Sequence, residues 1–158
     1  MELGSKTPGQ SRVEHVEILV QGDLNGSHRL FGGQLMEWID LCGAAVARRH
    51  SCRNVTTALV DELEFKAPAY ANDMVVLEGK MIFAGHSSME VVVDSYVEAL
   101  DGSRRLINTA RMTLVALDDD GRPCGVPMLV PQTDEERVAY AEAKARYLKR
   151  KREATHGE

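Results

Sequence analysis

The chain has 158 residues, a formal net charge of −5, and hydrophobic and charged fractions of 44% and 27%. Such a chain is long enough for one domain with a real core, and these fractions argue against wholesale disorder or a fibrous class. The acidic balance argues against a general nucleic-acid binder. No stretch approaches the roughly 20 apolar residues that span a bilayer, and the N-terminus lacks the apolar centre of a signal peptide.

The cysteines and histidines indicate a compartment and argue against one kind of site. Cys42, Cys52 and Cys124 are an odd number without CxxC spacing, which is typical of reduced thiols in a cytosolic protein. The five histidines are scattered, and none pairs with another ligand-type residue at a convincing spacing. The sequence therefore predicts a cytoplasmic protein with no metal site.

The first half of the chain is organised around one apolar helix. Residues 1-9 are expected to form a flexible polar tail, and Val13 to Val20 a first strand. A turn-rich loop follows, and the helix then runs from near Gly33 to near His50. Small residues in this helix indicate that a sheet packs closely against it. One face of the helix is apolar and consists of Leu35, Ile39, Cys42 and Val46.

The second half alternates in the pattern of strands and ends in a polar helix. The alternating segments are Thr57 to Phe65, Val75 to Phe83, Met89 to Glu98 and Leu106 to Leu117. Short links between them predict antiparallel pairing. The expected fold is α+β, a five-stranded antiparallel sheet wrapped around the long helix, with its other face meeting a partner or water. The domain is assigned to residues 10-122, and residues 123-158 to a linker and a C-terminal helix that a capping box at Thr133 begins.

Three features of the helix and its preceding loop have both a structural and a chemical interpretation. Asp40 lies at the margin of the apolar arc, where it is either an exposed helix acid, a partner of Arg48 or Arg49, or a catalytic carboxylate. Asn25 precedes a glycine, which is a strong turn signal. A glycine pair at the helix start either makes a tight turn or lets a backbone N–H approach a ligand oxygen.

The order of these residues along the chain resembles the hot-dog-fold acyl-CoA thioesterases. The resemblance covers roughly residues 10 to 131. The segments that carry it are Asn25, Leu30-Phe31-Gly32-Gly33, Met36-Glu37-Trp38-Ile39-Asp40, Val60-Asp61, Phe65, Pro68, Gly85-His86-Ser87-Ser88-Met89-Glu90-Val91 and Thr113-Leu114-Val115-Ala116-Leu117. One departure is His28, because the family often has glycine three residues after the asparagine.

The resemblance implies a hot-dog fold and two catalytic residues, Asn25 and Asp40, supplied by different subunits of a dimer. It implies that Asp40 is buried and activates water or attacks directly, and burial makes a carboxylate a better base. Asn25 would orient the water or the carbonyl oxygen, and we expect Gly33 to donate to the oxyanion. The expected substrate-binding residues are Phe31, Gly32, Gly33, Ser87 and Ser88.

The expected activity is hydrolysis of acyl-CoA to a free acid and coenzyme A, without a metal or organic cofactor. The expected assembly is a homohexamer built as a trimer of dimers, with no nucleic-acid partner and no membrane span. The first alternative is a non-catalytic acyl-CoA sensor on the same fold, and a dehydratase or an interaction module are the others. A dehydratase would use a histidine, whereas the helix position carries Asp40. Acyl chain length is not encoded in any recognisable pattern.

Overall fold

The computed structural model describes residues 3–156, with side chains described up to residue 155. These residues form seven strands, three helices and one 3-10 turn, Gln21–Asp23. In chain order the elements are β1 (Ser5–Lys6), α1 (Pro8–Ser11), β2 (Val13–Ile18), α2 (Gly32–Ser51), β3 (Asn54–Phe65), β4 (Met74–Ala84), β5 (Ser88–Glu98), β6 (Arg104–Leu117), β7 (Met128–Leu129) and α3 (Asp134–His156).

Five strands form one antiparallel sheet in the order β2-β4-β5-β6-β3. Strands β4, β5 and β6 are neighbours in sequence and in space because short turns join them. Helix α2 lies between β2 and β3 in the chain, and β3 returns to the far side of β6 rather than beside β2. The predicted sheet is confirmed, and its edge strands are β2 and β3.

Helix α2 packs on the inner face of this sheet through the stripe that the sequence predicts. Leu35, Ile39, Cys42 and Val46 are all buried. The close approach needs small residues on both sides, since a Cβ built on Gly79 of β4 would lie 2.8 Å from Cys42 Sγ. Burial raises the pKa of the Cys42 thiol to about 11, so this thiol stays protonated in the core.

Helix α3 covers part of the outer face, which the sequence left to a partner or to water. Ile82, Phe83 and Ala143 form a small buried cluster there, and the ring centroids of Phe83 and Tyr147 are 5.1 Å apart. The predicted cap is present, because Thr133 Oγ1 accepts the Glu136 N–H at 3.0 Å. The helix runs from Asp134 to His156, within the segment assigned to it.

The N-terminal segment pairs with the segment before α3, although the sequence predicts a flexible tail and a linker there. In place of the tail, the described residues 3–9 contain β1 and the start of α1, and residues 1–2 lie outside the described part. Strand β1 pairs in parallel with β7, so the linker also contributes a strand. Lys6 Nζ donates to the Arg49 carbonyl at 2.7 Å, which ties β1 to the end of α2. Among the described helices, none is long and apolar enough to cross a bilayer.

Candidate active site

Asp40 lies on the side of α2 that faces the edge strand β3. Its carboxylate Oδ1 accepts a hydrogen bond from Thr57 Oγ1 at 2.6 Å. The expectation that Asp40 is buried is wrong for the single chain, where both Asp40 and Thr57 are exposed. The apolar stripe of α2 faces the sheet, Asp40 lies beside that stripe, and no element within residues 3–156 covers it.

Thr57 is the polar partner that the sequence interpretation missed. It begins the alternating segment assigned to a strand, and threonine is ordinary in strands. The contact depends on α2 lying alongside β3, which no local pattern reveals. The available signal is a hydroxyl in the strand that directly follows the acid-bearing helix.

Asn25 closes the loop before α2. Its side-chain Oδ1 accepts backbone N–H groups of Ser27 at 2.9 Å and Arg29 at 3.2 Å, so the turn-making interpretation is correct for this oxygen. Its Nδ2 donates to no other described residue, and the side chain is exposed. Within the same loop His28 has φ 60°, the left-handed region. This conformation explains why a glycine suits that position.

The glycine pair forms the first turn of α2. A Cβ on Gly33 would lie 2.5 Å from Phe31 Cε1, whereas a Cβ on Gly32 would meet nothing closer than Phe65 Cζ at 3.8 Å. Only Gly33 is therefore needed for steric reasons. No described side chain caps this helix, and the first N–H groups of a helix have no intrahelical acceptor. Two backbone donors and the positive end of the helix dipole are free here.

A cleft of about 470 Å³ opens beside this helix start. Asn25 and Gly32 line it, Arg29 and Lys66 contribute positive charge, and the remaining wall is mostly apolar, including Phe65. Asp40, Ser87 and Ser88 do not line it. The cleft has the mixed character of a ligand site, an apolar wall with a few polar groups.

The sheet register separates the expected site residues into two groups. Phe65 pairs with Asn108, whereas Thr57 pairs with Leu114. Two register shifts shorten this stretch of β3, which spans six residues of β6 and so corresponds to about 20 Å. Ser88 pairs with Val115, so the serine pair lies at the end of the sheet that holds Thr57 and Asp40. A single chain therefore does not unite Asn25 with Asp40.

Strand β3 joins these two groups and is an unusually exposed edge. Its apolar side chains Leu59, Val60, Leu63 and Phe65 are 40%, 36%, 36% and 53% exposed. A twelve-residue strand with one free edge presents unpaired backbone groups along its length. Such an edge is a natural place for a second chain to pair.

Comparison with known proteins gives consistent similarities. A family model described as the thioesterase superfamily matches residues 28–100. A Bacillus subtilis protein named an uncharacterized acyl-CoA thioester hydrolase is 38% identical over 94% of this chain and 87% of its own length. The human cytosolic acyl coenzyme A thioester hydrolase is 35% identical over 92% of this chain, which spans only 39% of that longer protein.

Solved structures give the same result. A structure described as an apo-hexameric acyl-CoA thioesterase has a TM-score of 0.89 at 36% identity, covering 96% of this chain and 97% of that one. The Staphylococcus aureus acyl-CoA hydrolase, in complex with butyryl coenzyme A, has a TM-score of 0.88 at 32% identity, covering 97% and 94%. That enzyme was also solved with an asparagine, an aspartate or a threonine replaced by alanine. Those three positions have the same sequence separations as Asn25, Asp40 and Thr57.

Proposed function

This chain belongs to the hot-dog-fold acyl-CoA thioesterase family, and from that premise we propose that it hydrolyses acyl-CoA to a free carboxylate and coenzyme A. The family makes it a thioester hydrolase. The observation that supports Asp40 as the reactive group is its 2.6 Å hydrogen bond from Thr57, because a base must be held in one orientation to act on water. That hydrogen bond occupies Oδ1 and leaves Oδ2 to face the substrate.

The proposed reaction uses only water and groups of the protein. Asp40 Oδ2 accepts a proton as the water oxygen attacks the thioester carbonyl. The oxyanion that forms accepts a hydrogen bond from the Gly33 N–H at the positive end of α2. The C–S bond then breaks, and the thiolate of coenzyme A takes the proton back. Asn25 Nδ2, which has no partner among the described residues, orients the water or the carbonyl oxygen. We favour general-base catalysis over direct attack by Asp40.

The two catalytic groups are brought together by a second copy of the chain. If β3 pairs antiparallel with β3 of a partner, a two-fold axis at Asp61 aligns Thr57 of one chain with Phe65 of the other, since Asp61 is midway between them. Asp40 of one subunit then meets the Asn25 cleft of its partner, and burial of Asp40 follows from assembly. A two-fold pair contains two such sites.

The substrate and assembly follow from the same arrangement. The apolar wall of the cleft suits the acyl chain, and Phe31, Gly32 and Gly33 surround the thioester. Ser87 and Ser88, at the Asp40 end of each sheet, face the coenzyme A portion of the substrate. We propose a homohexamer made of three dimers, on the precedent of the hexameric relative. A cytosolic location follows the precedent of the mammalian relatives.

Release of coenzyme A from a panel of acyl-CoAs of different chain lengths tests the activity. Asp40→Ala and Asn25→Ala are each expected to lower kcat by about 100-fold or more, the usual contribution of a positioned base. Light scattering should show an unchanged oligomer in both variants. Glu37→Ala, an exposed acid on the same helix, is the matched control. Full activity in either active-site variant would falsify the site assignment, and binding of acyl-CoA without turnover in the wild type would favour the sensor alternative.

Mixing the two inactive variants tests whether the site is shared. Random exchange between Asn25→Ala and Asp40→Ala subunits makes half of the dimers mixed, each with one intact site of two, so about a quarter of wild-type activity should return. Recovery requires conditions that allow subunit exchange, which mass measurement of differently tagged chains verifies. No recovery after verified exchange would show that both residues act within one chain.

A further inference from the structure

A cluster of charged side chains lies between α3 and the outer face of the sheet, where the proposed chemistry does not use it. Its acidic centre is Glu90, whose side chain is 2% exposed. Arg146 donates to Glu90 Oε1 from Nε at 3.1 Å and from Nη2 at 2.8 Å, and Arg111 Nε lies 3.1 Å from the same oxygen. These contacts fix α3 across the sheet, because a buried carboxylate is costly without such partners.

The same cluster extends to the edge strand. Asp61 of β3 accepts from Arg111 Nε at 3.2 Å and lies 3.4 Å from Arg150 Nη1 of α3. Glu62 accepts from Arg111 Nη1 at 2.6 Å. The β3–β6 register shifts between Val60 and Glu62, so Asp61 is the extra residue of a bulge and its carboxylate reaches the face that α3 covers.

The cluster is electrically balanced within one chain. Its acids are Asp61, Glu62 and Glu90, and its bases are Arg111, Arg146 and Arg150. Removal of Arg150 leaves the cluster of each chain with a net charge of −1, and it leaves Asp61 of β3 with Arg111 as its remaining described partner. In a pair of chains, those two charges lie at the same place.

That place is the two-fold axis of the proposed subunit pair. Pairing centred on Asp61 sets it directly opposite Asp61 of the partner subunit, with Cβ atoms about 5 Å apart. Like charges directly opposite one another on paired strands are destabilising. In this pairing the free β3 edge carries an acidic residue at the two-fold axis, where it faces its own copy.

We propose that Arg150 and Arg111 neutralise this pair of aspartates, so that the C-terminal helix controls subunit pairing and, through it, completion of the shared site. Arg146 and Glu90 hold α3 in the position from which Arg150 reaches the strand edge. The inference rests on the shared-site arrangement proposed above. It assigns α3 to the interface between two copies of this chain, although most of α3 packs on its own subunit.

Dilution of the 158-residue protein, followed by mass photometry, gives the concentration at which the dimer dissociates and so tests the inference without relying on catalysis. Arg150→Ala is expected to raise the concentration at which the dimer dissociates by about tenfold or more, as loss of one partner of a close charge pair does. Adding Asp61→Asn to that variant should restore wild-type dissociation, because the uncompensated charge is removed. Arg152→Ala, an exposed arginine on the same helix without a described ion pair, should change nothing.

Arg150→Gln keeps most of the side chain and repeats the test if the alanine variant folds poorly. The inference is overturned if both Arg150 variants dissociate like the wild type, or if Asp61→Asn gives no recovery in the Arg150→Ala background. Release of coenzyme A is read in parallel. If the wild type hydrolyses no acyl-CoA but dissociation follows the expected pattern, only the proposed function is refuted. If the wild type is active but its dissociation does not change on replacement of Arg150, only the role of α3 is refuted.

Discussion

His28 holds a backbone conformation that glycine adopts without cost. Its φ of 60° lies in the loop that also positions Asn25. Histidine tolerates this region better than most residues, whereas a β-branched side chain there is a genuine outlier. The departure from the family pattern at this position therefore changes the residue and preserves the shape of the loop.

Replacement of His28 tests that conformation. His28→Val should lower the free energy of unfolding by about 1 kcal/mol, because a β-branched side chain fits the left-handed region worse than histidine does. His28→Gly should lower it little or not at all, because glycine relieves the strain but loses more chain entropy on folding. Urea denaturation measures both. Equal stability of the two variants would contradict the left-handed backbone.

Adding a methyl group at Gly33 should lower the activity much more than the stability. Gly33→Ala places a Cβ against the Phe31 ring, and this ring is 54% exposed, so it has room to swing away. We expect stability to change by less than about 1 kcal/mol, and kcat/KM to fall by about tenfold or more as the oxyanion donor is screened. Gly32→Ala is the matched control, since its Cβ meets only the distant Phe65 ring. Equal losses in both variants would argue against Gly33 as the donor.

His50 gives the fold a pH dependence near neutrality. The side chain is fully buried, Nε2 donates to the Pro127 carbonyl at 2.8 Å, and burial lowers the pKa of the ring below its ordinary value of 6.5. Lys6 lowers the pKa further by charge repulsion. The unfolded chain therefore takes up a proton at a higher pH than the folded chain does.

The contribution of neutral His50 to the free energy of unfolding should therefore be complete above the pKa of this histidine in the unfolded chain. It should decrease as the pH falls from that pKa toward the lower pKa of His50 in the folded chain. Denaturation at about pH 7.5 and about pH 5.5 measures the decrease, and His50→Gln should reduce it because no imidazole remains to be protonated. An unchanged pH dependence in that variant would assign the loss to other groups.

At the scale of elements, patterns of period two and 3.6 located every long strand and α2 to within a few residues, and the capping box at Thr133 located the start of α3. Those patterns are strong because each strand of the sheet has one face against α2. The pair β1 and β7 was missed, since two residues contain no period and pair only through tertiary packing. The contact of Thr57 with Asp40 was missed for the same reason, because it joins two elements rather than neighbours in sequence.

The attachment of α3 to the sheet depends on Glu90. Glu90→Gln leaves three arginines around a neutral side chain, and we expect a loss of about 1–3 kcal/mol in the free energy of unfolding. The arginines are partly exposed, which keeps the loss below that of a fully buried pair. Urea denaturation gives the value, and Glu142→Gln, an exposed acid on α3, serves as the control. A loss no greater than in the control would show that α3 is held by its aromatic contacts alone.

At the scale of the whole molecule, one chain contains the whole five-stranded sheet and its helices but holds only half of each proposed site. The sequence could identify Asn25 and Asp40 as site residues through the family pattern, and it could not show their exposure. The mistaken expectation of a buried Asp40 came from its position in an apolar helix, where it lies beside the buried stripe and not within it. In the proposed subunit pair, the partner chain supplies the cover that the single chain lacks.

Blocking β3 should therefore abolish activity while every catalytic side chain remains. Leu63→Lys puts a charge on the exposed edge, a device by which natural edge strands resist pairing. We expect a monomer by light scattering and a loss of about 100-fold or more in kcat, as for loss of a catalytic base. Val138→Lys, an exposed apolar position on α3, is the control. A fully active monomer would refute the shared site.

The free β3 edge also has a consequence for how activity depends on the amount of protein in the cell. In the proposed arrangement with shared sites, a newly synthesised chain is inactive until it meets a second copy, so the amount of working enzyme depends on the number of chains per cell more steeply than in proportion. Below the dissociation constant of the pair, halving the synthesis rate would cut hydrolysis to about a quarter by mass action. The concentration of the chain would then set the level at which acyl-CoA begins to be consumed.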